Sequence, residues 1–158
     1  MLLFLAQNHS AMTHLPIAAA ILAAIAAFVA LFVFRREIVW AWAALSITAF
    51  LTVLPTVVTG IAAAKGRLNE EGKPYIQNGF IVDHIPANTR IWFHQMLGIS
   101  GFVVAVILAI LALARLRGRD PNKYVIALLA VLLALLWGLG GHLGGKELWG
   151  ADTFPGFH

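Results

Sequence analysis

Four long apolar runs constrain this chain more than any other feature of its sequence. They span residues 15–34, 38–64, 94–114 and 124–145, and no Asp, Glu, Lys or Arg lies inside any of them. A helix of about 20 residues crosses the hydrocarbon core of a bilayer. The runs are continuous rather than alternating, which favours helices over barrel strands. The sequence therefore predicts an all-α integral membrane protein, a single domain over residues 1–158 folded as a four-helix up-down bundle.

Composition narrows the chemistry that the bundle could perform. Apolar residues make up 61% of the chain and charged residues 11%, well away from the balance of a soluble domain. The chain has no cysteine, which excludes disulfides, thiolate metal sites and covalently attached c-type haem. The net charge of +4 comes from residues in short connections, so topology rather than nucleic-acid binding explains it.

The charges in the connections predict the topology. The two short connections, at 35–37 and 115–123, contain six basic and two acidic residues. The long loop at 65–93 and the tail together contain five of each. The positive-inside rule places the short connections in the cytoplasm. We therefore expect a multi-pass protein of a bacterial inner membrane, with both termini extracytoplasmic.

This orientation places every histidine on the extracytoplasmic side. His14 immediately precedes the first apolar run, His94 opens the third, and His142 lies near the end of the fourth. The other three, in outer segments, are His9, His84 and His158. Ionisable groups at membrane depth are costly and are usually functional, so the first three predict a site rather than a chance grouping.

A pair of these histidines has the arrangement of a haem b site. In an up-down bundle helices one and three face each other diagonally, so His14 and His94 could approach a common centre from opposite sides. Two imidazoles on opposite faces of the iron are a common form of haem b ligation. One layer of histidines predicts one haem, or two side by side if His9 and His142 also act as ligands.

A flat porphyrin also needs a slot between helices. Small residues lie on one face of the third run below His94, at Gly98, Gly101 and Ala105, and glycines surround His142. These small residues favour a slot for the ring, although the same pattern also occurs where membrane helices pack directly against each other without a cofactor. In the second run, Thr56 belongs to a stripe of threonines that could bond a ligand imidazole or propionate. The alternative is that their hydroxyls bond backbone carbonyls or help to satisfy a proline kink.

Two other interpretations stay open. His14, His94 and His142 could instead hold copper or zinc, because imidazole is a common ligand of both metals. The chain could also bind no cofactor and serve as an accessory subunit that braces a larger complex. No metalloprotease motif, phosphate loop or nucleophile elbow is present, so the sequence does not predict independent catalysis.

Several short motifs resemble those of the small four-helix membrane proteins of domain-of-unknown-function family 2231. The first motif is His9 and His14 followed by Pro16-Ile17, where the first run begins. The others are Thr59-Gly60 in the second run, His94 in the third, and Gly144-Gly145 with a following aromatic at the end of the fourth. The sequence departs from the family in lacking an acidic residue soon after Gly60 and in its tail at 151–158. Members often occur beside cytochrome-like redox modules, so the resemblance implies electron transfer.

Together these observations predict a haem b electron-transfer subunit of a larger respiratory or photosynthetic membrane complex. The haem would lie near the periplasmic side, where a periplasmic cytochrome or a quinol could exchange electrons with it. The expected partners are other membrane redox subunits and the lipid bilayer. The loop at 65–93 mixes charge with aromatic residues, which is typical of a docking surface or of a loop resting among lipid headgroups.

Overall fold

The computed structural model describes residues 9–33, 36–65 and 90–149, with side chains at 12–33, 36–60 and 92–144. Within them the chain forms α1 (His9–Phe32), α2 (Arg36–Lys65), α3 (Arg90–Leu116) and α4 (Lys123–Trp149). All four helices are long and apolar enough to cross a membrane. The predicted all-helical architecture is confirmed. Each helix begins before its apolar run, because polar flanking residues continue the backbone hydrogen bonding.

The helices form a ring in chain order. α1 packs against α2 and α4, and α3 packs against α2 and α4, so α1 and α3 are diagonal partners. α1 and α3 begin at the end of the bundle where α2 and α4 finish. We call this the histidine end, because His14, His94 and His142 lie near it. The opposite end, where Arg36, Arg115 and Lys123 lie, is the basic end.

Small residues make the interior of the bundle dense. Apart from Pro16, the buried residues of α1 are all alanines, at Ala19, Ala20, Ala23, Ala24 and Ala27. Small side chains allow helix backbones to approach closely, which is the usual way that helices pack in a membrane. Larger side chains fill the remaining space between the helices, including those of Leu108, Leu133 and Trp137. The chain's own side chains therefore fill the middle of the bundle.

The outer surface of the bundle is apolar. Only 28–33% of the most apolar stretch of each candidate span is buried inside the bundle. Large apolar side chains stay exposed along all four helices, among them Phe32, Leu54, Ile110 and Leu128. An apolar surface this extensive has no place in water. The fold therefore supports a multi-pass membrane protein.

The connection from α3 to α4 is built from local hydrogen bonds. Gly118 has a φ of 81°, in the left-handed region that favours glycine. Its N–H donates to Arg115 O at 3.0 Å, and Arg119 N–H donates to Ala114 O at 3.0 Å. This pair of bonds is a Schellman motif, which satisfies the last carbonyls of a helix. Asn122 then caps α4, because its Oδ1 accepts from Tyr124 N–H at 2.9 Å.

Two buried polar atoms of α2 have no hydrogen-bond partner among the described residues. They are the indole nitrogen of Trp42 and the hydroxyl of Ser46. Trp42 is 2% exposed and Ser46 is fully buried. The two residues are one turn apart on the same face of the helix. Their burial therefore costs free energy that no bond in this part of the chain offsets.

Candidate functional site

His94 is the best-positioned histidine at the histidine end. It lies in the first turns of α3, half-buried against α4. Its Nδ1 lies 2.7 Å from Gly140 O, the backbone carbonyl of a glycine on α4. A Cβ on Gly144, one turn further along, would lie 2.7 Å from the His94 ring. The imidazole therefore occupies a space on α4 that only glycine leaves open.

The bond to Gly140 determines which nitrogen of the His94 ring carries the proton. A carbonyl oxygen can only accept, so Nδ1–H is the donor. In the neutral ring the lone pair is then on Nε2. Histidines that bind metals usually donate their other ring N–H to a carbonyl or carboxylate, which fixes the ring orientation. His94 therefore has the backbone support that is typical of a metal or haem ligand.

His14 and His142 lie at the same end of the bundle as His94, but both are exposed. A Cβ on Gly141 of α4 would lie 2.6 Å from Cδ1 of Ile17 on α1. His14 is three residues before Ile17, and His142 immediately follows Gly141. These contacts place all three histidines at one end of the bundle, with only His94 turned into a helix interface.

The small-residue face of α3 is partly filled. The Trp137 indole of α4 occupies the position that a Cβ on Gly101 would take, so Gly101 offers no slot. Ala105 is fully buried in the core. Gly98, one turn from His94 on the same face, has nothing within 4 Å of its Cβ position. Any flat group bound beside His94 would therefore have room at Gly98 and not at Gly101.

Thr56 connects α2 to α1. Its hydroxyl lies 2.8 Å from Met12 O on α1 and 3.1 Å from Thr52 O in its own helix. Pro16 lies inside α1 and has no N–H, so Met12 O, four residues earlier, lacks its usual helical donor. Thr56 supplies the missing donor from the neighbouring helix. Its hydroxyl is thus engaged with backbone carbonyls, the alternative that the threonine pattern left open.

The remaining predicted site residue, His9, contributes no described side chain. His9 begins α1, but its side chain lies outside the described residues, as do His84 and His158. Most of the loop at 65–93, predicted as a docking surface, also lies outside them. Among the described side chains, no group of three or more His, Cys, Asp or Glu is placed to hold a metal ion.

Three residues of this region are not predicted by the sequence patterns. Trp137 fills the Gly101 position, Ile17 packs on Gly141, and the Met12 carbonyl accepts from Thr56. Pro16 is the one signal that could have pointed to Met12, because a proline inside a helix always frees the carbonyl four residues before it. Nothing in the linear pattern pairs Trp137 with Gly101.

The fold and these contacts are those of a multi-pass membrane protein, a four-helix bundle in which a histidine of one helix packs against the glycines of its neighbour. No family model matches the sequence, and no curated protein or solved structure matches it either. The resemblance to domain-of-unknown-function family 2231 therefore stays a prediction that rests on the motifs alone.

Proposed function

We propose that this protein is a haem b-binding electron-transfer subunit of a larger membrane redox complex, in which His94 would hold the haem iron. The observation that carries the proposal is the 2.7 Å contact between His94 Nδ1 and Gly140 O. It orients the imidazole and leaves the lone pair of the neutral ring on Nε2, the nitrogen that would bind the iron. A haem bound there would supply one-electron chemistry at its iron.

The surroundings of His94 support this choice over the other histidines. Gly144 allows the imidazole to lie against α4, and Gly98 leaves open space one turn below it. The filled position at Gly101 restricts a bound ring to the histidine end, above Trp137. His14 and His142 are exposed, so the proposal rests on His94 and assigns no second axial ligand among the described residues.

The location of the site follows from the charge distribution. In line with the positive-inside rule, we expect the basic end to face the cytoplasm and the histidine end to lie at the extracytoplasmic face of a bacterial inner membrane. A haem at that face would be within reach of a periplasmic cytochrome or a quinol. The exposed apolar side chains of the bundle provide surface for neighbouring membrane subunits as well as for lipid.

The test is a reduced-minus-oxidised absorbance spectrum of the detergent-purified protein supplied with haem, combined with a pyridine haemochrome assay. We expect a b-type α band in the wild type, its loss in His94→Ala, and its retention in His14→Ala and His142→Ala. Circular dichroism of each variant verifies that the helices persist. Absence of a Soret band in the wild type would refute haem binding.

A second function, that of a cofactor-free accessory subunit, is favoured by a different observation. Trp137, Ile17 and His94 themselves fill the positions at Gly101, Gly141 and Gly144. Glycines of this kind commonly serve helix packing. If this function is correct, His94→Ala leaves the spectrum unchanged and alters only the stability of the bundle or its assembly with partners.

A further inference from the structure

α1 packs against α4, and we call the surface line along which these two helices meet the α1–α4 seam. Two histidines, His14 and His142, lie beside it. Ile17 of α1 and Gly141 of α4 meet in the interface, where Cδ1 of Ile17 lies 2.6 Å from the Cβ position of Gly141. This contact defines the direction in which each helix faces the other. The rotation of His14 and His142 about their helix axes, and their height along the bundle, can be calculated relative to this contact.

On α1, His14 lies on the outer side of the contact. Successive residues of a helix turn by about 100°, so positions three before and three after Ile17 are each turned by about 60° in opposite senses. Ala20, three residues after, is fully buried. His14, three residues before, is exposed. His14 is therefore on the flank of α1 that borders α4 at the surface.

On α4, His142 lies on the matching flank. Gly140 faces α3, because a Cβ at Gly140 would lie 3.4 Å from Cβ of Leu97. Gly141 is the next residue and faces α1, and His142 is turned by about 100° further in the same sense. His142 is exposed. His142 therefore lies on the outer surface of α4, about 100° around the helix from the side that faces α1 and on the side away from His94.

The two histidines also lie at nearly the same height. α1 and α4 are antiparallel, and His14 and His142 are both displaced from the Ile17–Gly141 contact toward the histidine end. At 1.5 Å per residue their displacements are about 4.5 and 1.5 Å, a difference of about 3 Å. The space below His142 is open, because a Cβ on Gly138, one turn away on the same face, would meet nothing within 4 Å.

We propose that His14 and His142 form a two-imidazole site on the α1–α4 seam for a divalent transition-metal cation of the Cu²⁺ and Zn²⁺ class. Imidazole is a preferred ligand for these cations, and the described side chains offer no third His, Cys, Asp or Glu. Water completes the coordination. This site is separate from His94 and does not depend on haem binding.

The first experiment is a Cu²⁺ titration of the purified full-length chain in detergent, followed by calorimetry and electron paramagnetic resonance. We expect nitrogen hyperfine splitting in the wild type and weaker binding in both His14→Ala and His142→Ala. The loss should be at least about tenfold, the size that even changes outside the coordination shell cause. Thr52→Val is the control, because Thr52 lies on α2 and its hydroxyl bonds carbonyls of its own helix, and it should bind Cu²⁺ like the wild type. Unchanged affinity in either seam variant would overturn the proposal.

A second experiment tests the geometry without metal. The chain has no cysteine, so engineered cysteine pairs can be cross-linked without interference from native thiols. We expect the double variant His14→Cys/His142→Cys to be linked by a short bifunctional thiol reagent, and His94→Cys/His142→Cys to be linked far less. Equal linking of the two pairs would contradict the arrangement. If the seam pair binds Cu²⁺ but the wild type shows no haem band, the metal site stands and the haem proposal fails.

Discussion

The hydroxyl of Thr56 on α2 donates to the carbonyl of Met12 on α1 at 2.8 Å. That carbonyl is the one that Pro16 deprives of its helical donor. A proline inside a membrane helix is tolerated when a neighbouring helix satisfies the freed backbone group, and here one threonine does so. The bond ties the first turns of α1, which include His14, to α2.

Thr56→Val should destabilise the bundle because it keeps the shape of the side chain and removes the donor. Interhelical hydrogen bonds in membranes contribute about 0.5–1.5 kcal/mol, and we expect a loss of unfolding free energy in that range. Thermal or denaturant unfolding in detergent measures it. The matched control is Thr52→Val, whose hydroxyl bonds only carbonyls of its own helix among the described contacts. Thr56→Ser should restore most of the stability.

A double-mutant cycle isolates the role of the proline. Pro16→Ala returns an N–H to the position that serves Met12 O, so Thr56→Val should cost less in that background than in the wild type. The cycle compares unfolding free energies of the four proteins. Equal costs in both backgrounds would show that Thr56 does not act through the carbonyl that Pro16 frees.

Gly101→Ala should destabilise the contact between α3 and α4. The added methyl group would coincide with the indole of Trp137, which must then move. Overpacking of this kind typically costs about 1–3 kcal/mol. Gly98→Ala is the control, because its Cβ meets nothing within 4 Å, and it should leave stability unchanged. Thermal unfolding followed by circular dichroism distinguishes the two, and a similar loss in both would contradict the assignment.

Gly144→Ala should displace the His94 imidazole. The new methyl group would lie 2.7 Å from the ring, closer than carbon atoms pack, so the ring must turn away or α4 must shift. We expect loss of the hydrogen bond to Gly140 O, which nitrogen NMR of labelled histidine detects as a change in tautomer or in proton exchange. An unchanged His94 signal would mean that the imidazole does not lie against Gly144.

Ser46→Ala should leave stability unchanged or raise it. The Ser46 hydroxyl is buried without a hydrogen-bond partner among the described residues, so removing it removes a desolvated group and breaks no described bond. The contrast with Thr56→Val is informative because both variants delete one hydroxyl from α2. A loss as large as that of Thr56→Val would reveal a partner for Ser46, such as a buried water.

The sequence determined the four membrane-length helices of the described residues, their approximate bounds and the end of the bundle at which His14, His94 and His142 lie. Uninterrupted apolar runs leave a chain few alternatives to membrane-length helices, because every backbone polar group in a bilayer must be bonded within the helix. The diagonal placement of α1 and α3 also followed from the short connections.

Only the tertiary structure decided which of these residues meet. Gly98 and Gly101 look alike in the sequence, but Trp137 fills one position and leaves the other open. His94 and His142 are close along the bundle, but the rotation of α4 turns His142 away from α3 while Gly140 and Gly144 receive His94. The physical reason is that a side chain's direction depends on helix rotation, which packing sets through contacts between residues far apart in the chain.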